Sequence, residues 1–432
     1  MELLTEAAPP AAAPQPADAV IEAANQVIEA RDIRTLFQPL LHLRTGDVVG
    51  FEALTRGPQG SPVESPLALL EAARAAGRLA ELDWLCAASA CDAAVSAKLH
   101  PSASLFLNFD PATLLTPCPE DLLRSTRRAQ DQLRIFVEMN EESLIADPGR
   151  VFAALAQLRA IGWGVAIDNA FIGSSSLGVF PLIEPDVIKL DLQAAGGDPA
   201  VIAAMSDRAR LASEHSGAAI HMAGLEKPED VRLARLAGAE FGQGWLFGVP
   251  APLPADTTAP RNVVPFTRYS EAVADELPFD LLRSLVPTAI AERSLIEPLA
   301  AYIEEQAHAN GPPGILLLSF DARTPPSPDG DERLRRHVER SAFTVVLGAG
   351  PGPESTKTSI VRRLSRSDAM STDRCVVVLG THYAGALVAR DLDEDGEPGD
   401  HRFEYAITHD RSLVCLVARA FVRRAAATPP SN

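Results

Sequence analysis

Glu52 and Arg56 stand at the end of an apolar, β-rich run, where a charged pair is costly unless it faces a pocket, a metal ion or a partner. Further along, Asn108, Glu138 and Asp168 each close a strand-like run, and Lys189 lies near the end of another. Carboxylates and amide carbonyls are the oxygen donors that a hard divalent cation takes. Any one of these residues alone reads more simply as a strand cap or a neighbour's partner. The ordered set, one polar group at the end of each successive run, is what points to a site.

Such groups can meet only if the runs that carry them lie side by side. Strand-like runs fall at residues 35–40, 48–54, 104–108, 134–138, 164–168, 186–190, 218–222 and 245–247, separated mainly by helices. Helix punctuation supports the alternation: Ser65 precedes Pro66, Asp147 caps a helix with Pro148 at its first position, and Gly162 closes it. Residues 18–30 read as an amphipathic helix with Val20, Ala23, Ala24, Val27 and Ile28 on one face. The first two runs flank Arg44-Thr45-Gly46-Asp47, a hairpin signal. This order predicts an α/β fold of (β/α)8 type, although periodicity alone also allows a doubly wound sheet.

The hairpin carries Phe37-Gln38-Pro39, then Glu52-Ala53-Leu54 and Arg56, and it closely resembles the opening motif of EAL domains, which are cyclic di-GMP phosphodiesterases. The resemblance implies a modified TIM-type barrel whose first strand runs antiparallel, in agreement with the hairpin. Hydrolysis of a phosphodiester needs an activated water and neutralised phosphoryl oxygens, and two divalent ions about 4 Å apart supply both. By resemblance, Glu52, Asn108, Glu138 and Asp168 hold the first Mg²⁺ or Mn²⁺. Lys189, in Val187-Ile188-Lys189-Leu190-Asp191, would position or deprotonate the attacking water, and with Glu52 it would be catalytic in an active enzyme. Gln243, in Phe241-Gly242-Gln243-Gly244, and Arg56 match ligand-binding positions, with Arg56 expected near a phosphate, and Glu141 matches a supporting one.

Two departures bear on activity. The family's Asp-Asp-Phe-Gly-Thr-Gly segment reads Asp168-Asn169-Ala170-Phe171-Ile172-Gly173, so a ligand of the second metal is Asn169. The family's Ala-Glu-Gly-Val-Glu reads Met222-Ala223-Gly224-Leu225-Glu226, so a carboxylate that supports metal binding is Ala223. An amide offers a neutral oxygen and a methyl offers nothing to a hard cation. The expectation is one cation site, an impaired second site, and weak or absent hydrolysis. The chain is then a signalling protein that binds cyclic di-GMP, or a protein partner, and relays that state. Its rivals are a working phosphodiesterase that yields pGpG and a protein-interaction scaffold that binds no nucleotide.

The rest of the chain sets bounds. There are 39 Lys and Arg against 57 Asp and Glu, a formal net charge of −18, which argues against general nucleic-acid binding. The five cysteines form no CxxC pair and no zinc spacing, as expected of free thiols in a reducing cytoplasm. The leader lacks the pattern of a signal peptide, and no apolar run is long enough to span a bilayer. The expected divisions are a leader at 1–17, a barrel at 18–254, a proline-rich linker at 255–265, a smaller α/β or α+β domain at 266–424 and a tail at 425–432. In the second domain, strands are expected at 315–320, 343–347, 375–379 and 403–408, and helices at 281–306, 383–389 and 412–423. Its ending resembles the DICT domain, a sensory module of bacterial signalling proteins. The match lies in Thr381-His382-Tyr383-Ala384, Leu387-Val388-Ala389-Arg390-Asp391, Arg402-Phe403-Glu404-Tyr405 and Thr408-His409-Asp410. Residues 391–396 begin like a calcium loop, but Arg402 stands where its last acidic ligand is required, so an acidic turn is expected. Homodimerisation is an expectation from the family alone.

Overall fold

The structure is a computed structural model and describes residues 17–171, 180–255, 257–266, 276–309, 314–320, 328–348, 355–365, 367–380, 382–393 and 401–427. The first 16 residues, Ile172 and Gly173, Thr381, residues 394–396 of the acidic turn and residues 428–432 lie outside that set. Eight strands close into a barrel in chain order. β1 (Arg34–His42) pairs antiparallel with β2 (Val48–Arg56), as the hairpin signal predicts, with Gly46 at φ 74° in the turn. β3 (Ser104–Asn108), β4 (Arg134–Asn140), β5 (Gly164–Asp168), β6 (Val187–Asp191) and β7 (Ala219–Ala223) continue in parallel, and β8 (Phe241–Gly242) closes antiparallel onto β1.

The outer ring holds α1 (Ala17–Ala30), α2 (Pro66–Ala75), α3 (Leu79–Ser96), α4 (Glu120–Gln132), α5 (Glu141–Ala146), α6 (Pro148–Ala160), α7 (Phe180–Ile183), α8 (Pro199–Ser216) and α9 (Pro228–Leu236). The predicted caps form: Ser65 accepts from the Ala68 amide and Asp147 from the Arg150 amide. The expected strand at 245–247 is wrong. There the Phe247 amide bonds back to the Gly244 carbonyl in a turn. Gly244 lies so close to the Leu225 backbone that an added Cβ would sit 2.0 Å from its carbonyl oxygen, and the chain leaves the sheet. The apolar Trp245-Leu246-Phe247 run imitates a strand without being one.

Inward-facing Leu40, Val49, Phe106, Phe136, Ala166 and Val187 fill the lower barrel with Ala219 and Phe241. Phe106 stacks on Phe136 at 4.8 Å, and Phe136 stacks on Phe266 at 4.6 Å, under an Arg134 guanidinium 4.2 Å from the Phe266 ring. Gly164 makes room for both rings. The proline-rich stretch is therefore pinned along the barrel. Val264 is buried and its carbonyl accepts from Arg134, Thr257 accepts from the His100 amide, and Asn262 donates to Thr45.

A second α/β domain follows, built on a mixed sheet in the order β12-β11-β10-β13-β14-β15-β9. The strands are β9 (Ala289–Glu292), β10 (Ile315–Ser319), β11 (Phe343–Gly348), β12 (Ser359–Arg363), β13 (Asp373–Leu379), β14 (Ala384–Asp391) and β15 (Arg402–Thr408). Leu316, Leu318, Val376 and Val378 pack on α11 (Arg293–Ala309), while Ile315, Leu317, Val377 and Leu379 join the core on the opposite side. Burial on both faces explains their unbroken apolar runs. Also present are α10 (Pro278–Leu285), α12 (Pro328–Arg340) and α13 (Arg411–Ala427).

Two sequence expectations fail here. Of residues 383–389, expected as a helix, Tyr383 is irregular and 384–389 belong to the interior strand β14, because its alanines and glycine fit between β13 and β15 where both faces are covered. The expected helix at 281–306 breaks at Val286-Pro287 into α10, β9 and α11, since proline cannot continue a hydrogen-bonded turn. At the described ends of the acidic turn, His401 Nδ1 lies 2.5 Å from Asp391 Oδ2 and Arg402 pairs with Asp393 at 3.0 Å.

The two domains share packing. α13 lies against α6 and α7, and Phe152 of α6 meets Phe343 of β11 at 5.2 Å. Glu184, directly after α7, takes Arg419 at 2.7 Å and Arg423 at 2.9 Å, both from α13.

Candidate functional site

Parallel register brings the strand ends of the barrel to one level. Asn108 is opposite Glu138, Lys189 is opposite His221, and Gln38 faces Glu52 across the hairpin. Lys189 sits at the centre. Its Nζ lies 3.0 Å from Glu52 Oε2, 2.6 Å from Glu138 Oε1 and 3.7 Å from Asp168 Oδ1. Asn108 donates to Glu52 Oε1 at 3.2 Å, and Gln243 Nε2 donates to Glu52 Oε2 at 2.9 Å and to Gln38 Oε1 at 3.0 Å. An open cavity of about 340 Å³ lies over this cluster, and Asp191, Glu226 and Trp245 are among the residues of its wall.

Three carboxylates around one ammonium leave excess negative charge. Burial would push Glu52 up, but the Lys189 charge and the hydrogen bonds of Lys189, Gln243 and Asn108 outweigh it and hold Glu52 at about 2. Glu138 moves the other way, well above the usual carboxylate range, through burial and the neighbouring Glu52 charge. Lys189 is also buried, yet Glu138, Glu52 and Asp168 raise it well above its ordinary value, so it remains an ammonium.

The donor set suits one hard cation: Glu52, Glu138 and Asp168 are oxygen donors that converge from β2, β4 and β5, and Glu138 Oε2 is buried with no hydrogen-bond partner. Among the described residues, no three carboxylate, imidazole or thiolate groups are already gathered to hold a metal ion. The ammonium explains this, since the carboxylates converge on Lys189 instead. On the other side, Asn169 Nδ2 donates to Asp168 Oδ2 at 3.0 Å, and Ala223 lines the cavity with a methyl group. Neither Asn169 nor Ala223 adds a carboxylate to this edge of the cavity.

The structure thus gathers Glu52, Asn108, Glu138, Asp168, Lys189 and Gln243, with Asn169 and Ala223 on the cavity wall. Arg56 and Glu141 do not line this cavity. The Arg56 guanidinium turns back to the Thr55 carbonyl at 2.9 Å, and Glu141 is buried at the start of α5. Sequence reasoning passed over Gln38 as a site residue, although it precedes Pro39 in the motif. It also missed His221, Asp191, Glu226 and Trp245. The signal for the first two was strand period: His221 is two residues before Ala223 and Asp191 two after Lys189, each on a site-facing row.

After β5 the backbone turns sharply. Asn169 at φ 54° and Phe171 at φ 63° are both left-handed, which an asparagine tolerates and a phenylalanine resists. Burial of Phe171 against Phe180, 4.6 Å between rings, and the Ala170 amide bonded to the Lys189 carbonyl hold the turn.

Comparison with known proteins adds the following. The EAL domain model matches residues 21–250. A protein of Escherichia coli, named "Probable cyclic di-GMP phosphodiesterase PdeB", is 27% identical over 240 residues, spanning 53% of this chain and 44% of that protein. An uncharacterised protein of Sinorhizobium fredii is 27% identical over 230 residues, or 51% of this chain and 27% of that one. This chain thus spans less than half the length of either relative. Among solved structures, a Klebsiella pneumoniae BlrP1 manganese and cyclic di-GMP complex is 26% identical over 51% of this chain and 56% of that chain, with a TM-score of 0.43.

Proposed function

Because the chain belongs to the EAL-domain family, we propose that its barrel binds cyclic di-GMP at the mouth beside Glu52, Lys189 and Gln243 and hydrolyses it weakly or not at all. The observation that carries this reading is the Lys189 cluster: three carboxylates on one ammonium, open to a cavity, beside an amide and a methyl where two more anionic groups are needed. Glu52, Glu138 and Asp168, with Asn108, would hold one Mg²⁺ or Mn²⁺. That ion, when bound, supplies charge to neutralise phosphoryl oxygens. Gln243 and Gln38 orient Glu52, and Lys189 keeps a positive charge at the cavity floor where a phosphate would lie.

The second domain, which resembles a DICT module, is read as the partner in signalling, within a cytoplasmic protein. Support for a relay comes from the β5–β6 connection. Its start carries Asp168 and Asn169, and its end, α7 with Glu184, is held by Arg419 and Arg423 of the second domain. A working phosphodiesterase stays in view, because Lys189, Glu52, Glu138 and Gln243 are all gathered.

The test is incubation of the chain with cyclic di-GMP and Mn²⁺, followed by product analysis. Two ligand-side losses, at about 10–100-fold each for a supporting group, should leave pGpG formation far below ordinary enzyme turnover. Turnover on the order of 1 per second or faster would refute the reading.

A further inference from the structure

His221 on β7 is fully buried, and neither ring nitrogen has a hydrogen-bond partner. Two unpaired polar nitrogens in a barrel interior are costly and call for an explanation. His221 stands beside Lys189 in parallel register, and the two side chains leave the sheet on the same face. Burial and the Lys189 charge keep the imidazole neutral, so it offers one lone pair and one N–H. Lys189 meanwhile has its ammonium committed to Glu52 and Glu138. Those carboxylates are the groups that a divalent cation would draw to itself. A dication on those carboxylates repels the ammonium and weakens its hold on them, so a further acceptor beside Lys189 then stabilises it.

We propose that His221 is a positioning residue: its ring nitrogen accepts a hydrogen bond from Lys189, directly or through one water, when a divalent cation engages Glu52, Glu138 and Asp168. This rests on the one-cation reading above. The alternate acceptor keeps the buried ammonium satisfied in the cation-bound state, and His221 thereby contributes to cation affinity without touching the cation. Its partnerless state beside the Lys189–carboxylate cluster is the other half of the same exchange.

The test is calorimetric titration of the full chain with Mn²⁺ alone, for the wild type, His221→Leu and His221→Gln. Leucine fills the space but accepts nothing, so Mn²⁺ affinity should fall by roughly tenfold or more, while glutamine, with a carbonyl acceptor, should recover most of it. The metal-free leucine variant should unfold at the same temperature as the wild type or higher, since it removes an unpaired polar group. In parallel, imidazole ¹⁵N spectra of the wild type, with the His221 signal identified by its loss in His221→Gln, should show one ring nitrogen move toward the hydrogen-bonded acceptor position as diamagnetic Mg²⁺ is added. That arm holds even if the leucine variant fails to fold. Unchanged Mn²⁺ affinity in His221→Leu, or an unmoved His221 signal at saturating Mg²⁺, overturns the proposal and leaves the one-cation reading intact. No cation binding by the wild type at millimolar concentration overturns both.

Discussion

At the level of single residues, the site is an ion cluster whose parts depend on one another. Removing one member of a buried charged group typically costs about 3–5 kcal/mol, because the partners remain buried and unpaired. Lys189→Met leaves Glu52 and Glu138 facing one another. It should destabilise the metal-free chain by about that amount in urea unfolding, and Mn²⁺ should restore more stability to the variant than to the wild type. Equal metal-free stability would show that the ammonium is not what neutralises the carboxylates. The reverse operation concerns Asn169 and Ala223. With Glu52, Asn108, Glu138, Asp168 and Lys189 already gathered, Asn169→Asp with Ala223→Glu should raise conversion of cyclic di-GMP to pGpG well above either single change. The gain should need Mg²⁺ or Mn²⁺ and vanish when Glu52→Ala is added. A double variant that binds nucleotide and metal yet stays inert would move suspicion to the left-handed turn at Asn169–Phe171.

At the level of elements, the β5–β6 connection is held at both ends, by Ala170 on Lys189 and by Glu184 on α13. Glu184→Ala should loosen α7 from the second domain and speed hydrogen exchange across α7 and α13 more than across β2 or β3. Exchange across α7 and α13 unchanged from the wild type would mean that apolar packing, such as Phe152 on Phe343, holds the contact alone. The same elements show what sequence could and could not reveal. Period-2 runs, the hairpin turn and the caps at Ser65 and Asp147 were legible because local chemistry sets them. β14 was not, since Ala384, Gly385 and Ala386 carry no strand preference and are extended only because β13 and β15 enclose them. Nor was β8, where a close backbone approach at Gly244 ended the strand before the apolar residues that suggested it. The strand-end carboxylates were legible as a set. His221 was not, because a lone histidine in an apolar strand gives no hint that its nitrogens lack partners.

At the level of the whole molecule, acid should weaken the fold through a buried histidine of the second domain. His337, in α12 and close to His308, Glu304, Arg333 and Arg336, is held neutral by burial, its value lowered from 6.5 to about 4. The unfolded chain therefore binds a proton more readily than the folded chain between pH 6.5 and pH 4, and stability falls as pH drops through that window. His337→Gln should flatten the decline in melting temperature between pH 7 and pH 4. An unchanged slope would place the acid sensitivity elsewhere. The excess of acidic residues, −18 overall, also means that an anionic ligand must be met by local charge at Lys189 or by a bound cation. Calorimetric titration of the intact chain with cyclic di-GMP, with and without Mg²⁺, followed by separation of the products, tests that claim directly. The account predicts saturable binding that Mg²⁺ strengthens, with cyclic di-GMP recovered almost unchanged. No binding at high micromolar nucleotide, or rapid appearance of pGpG, would contradict it.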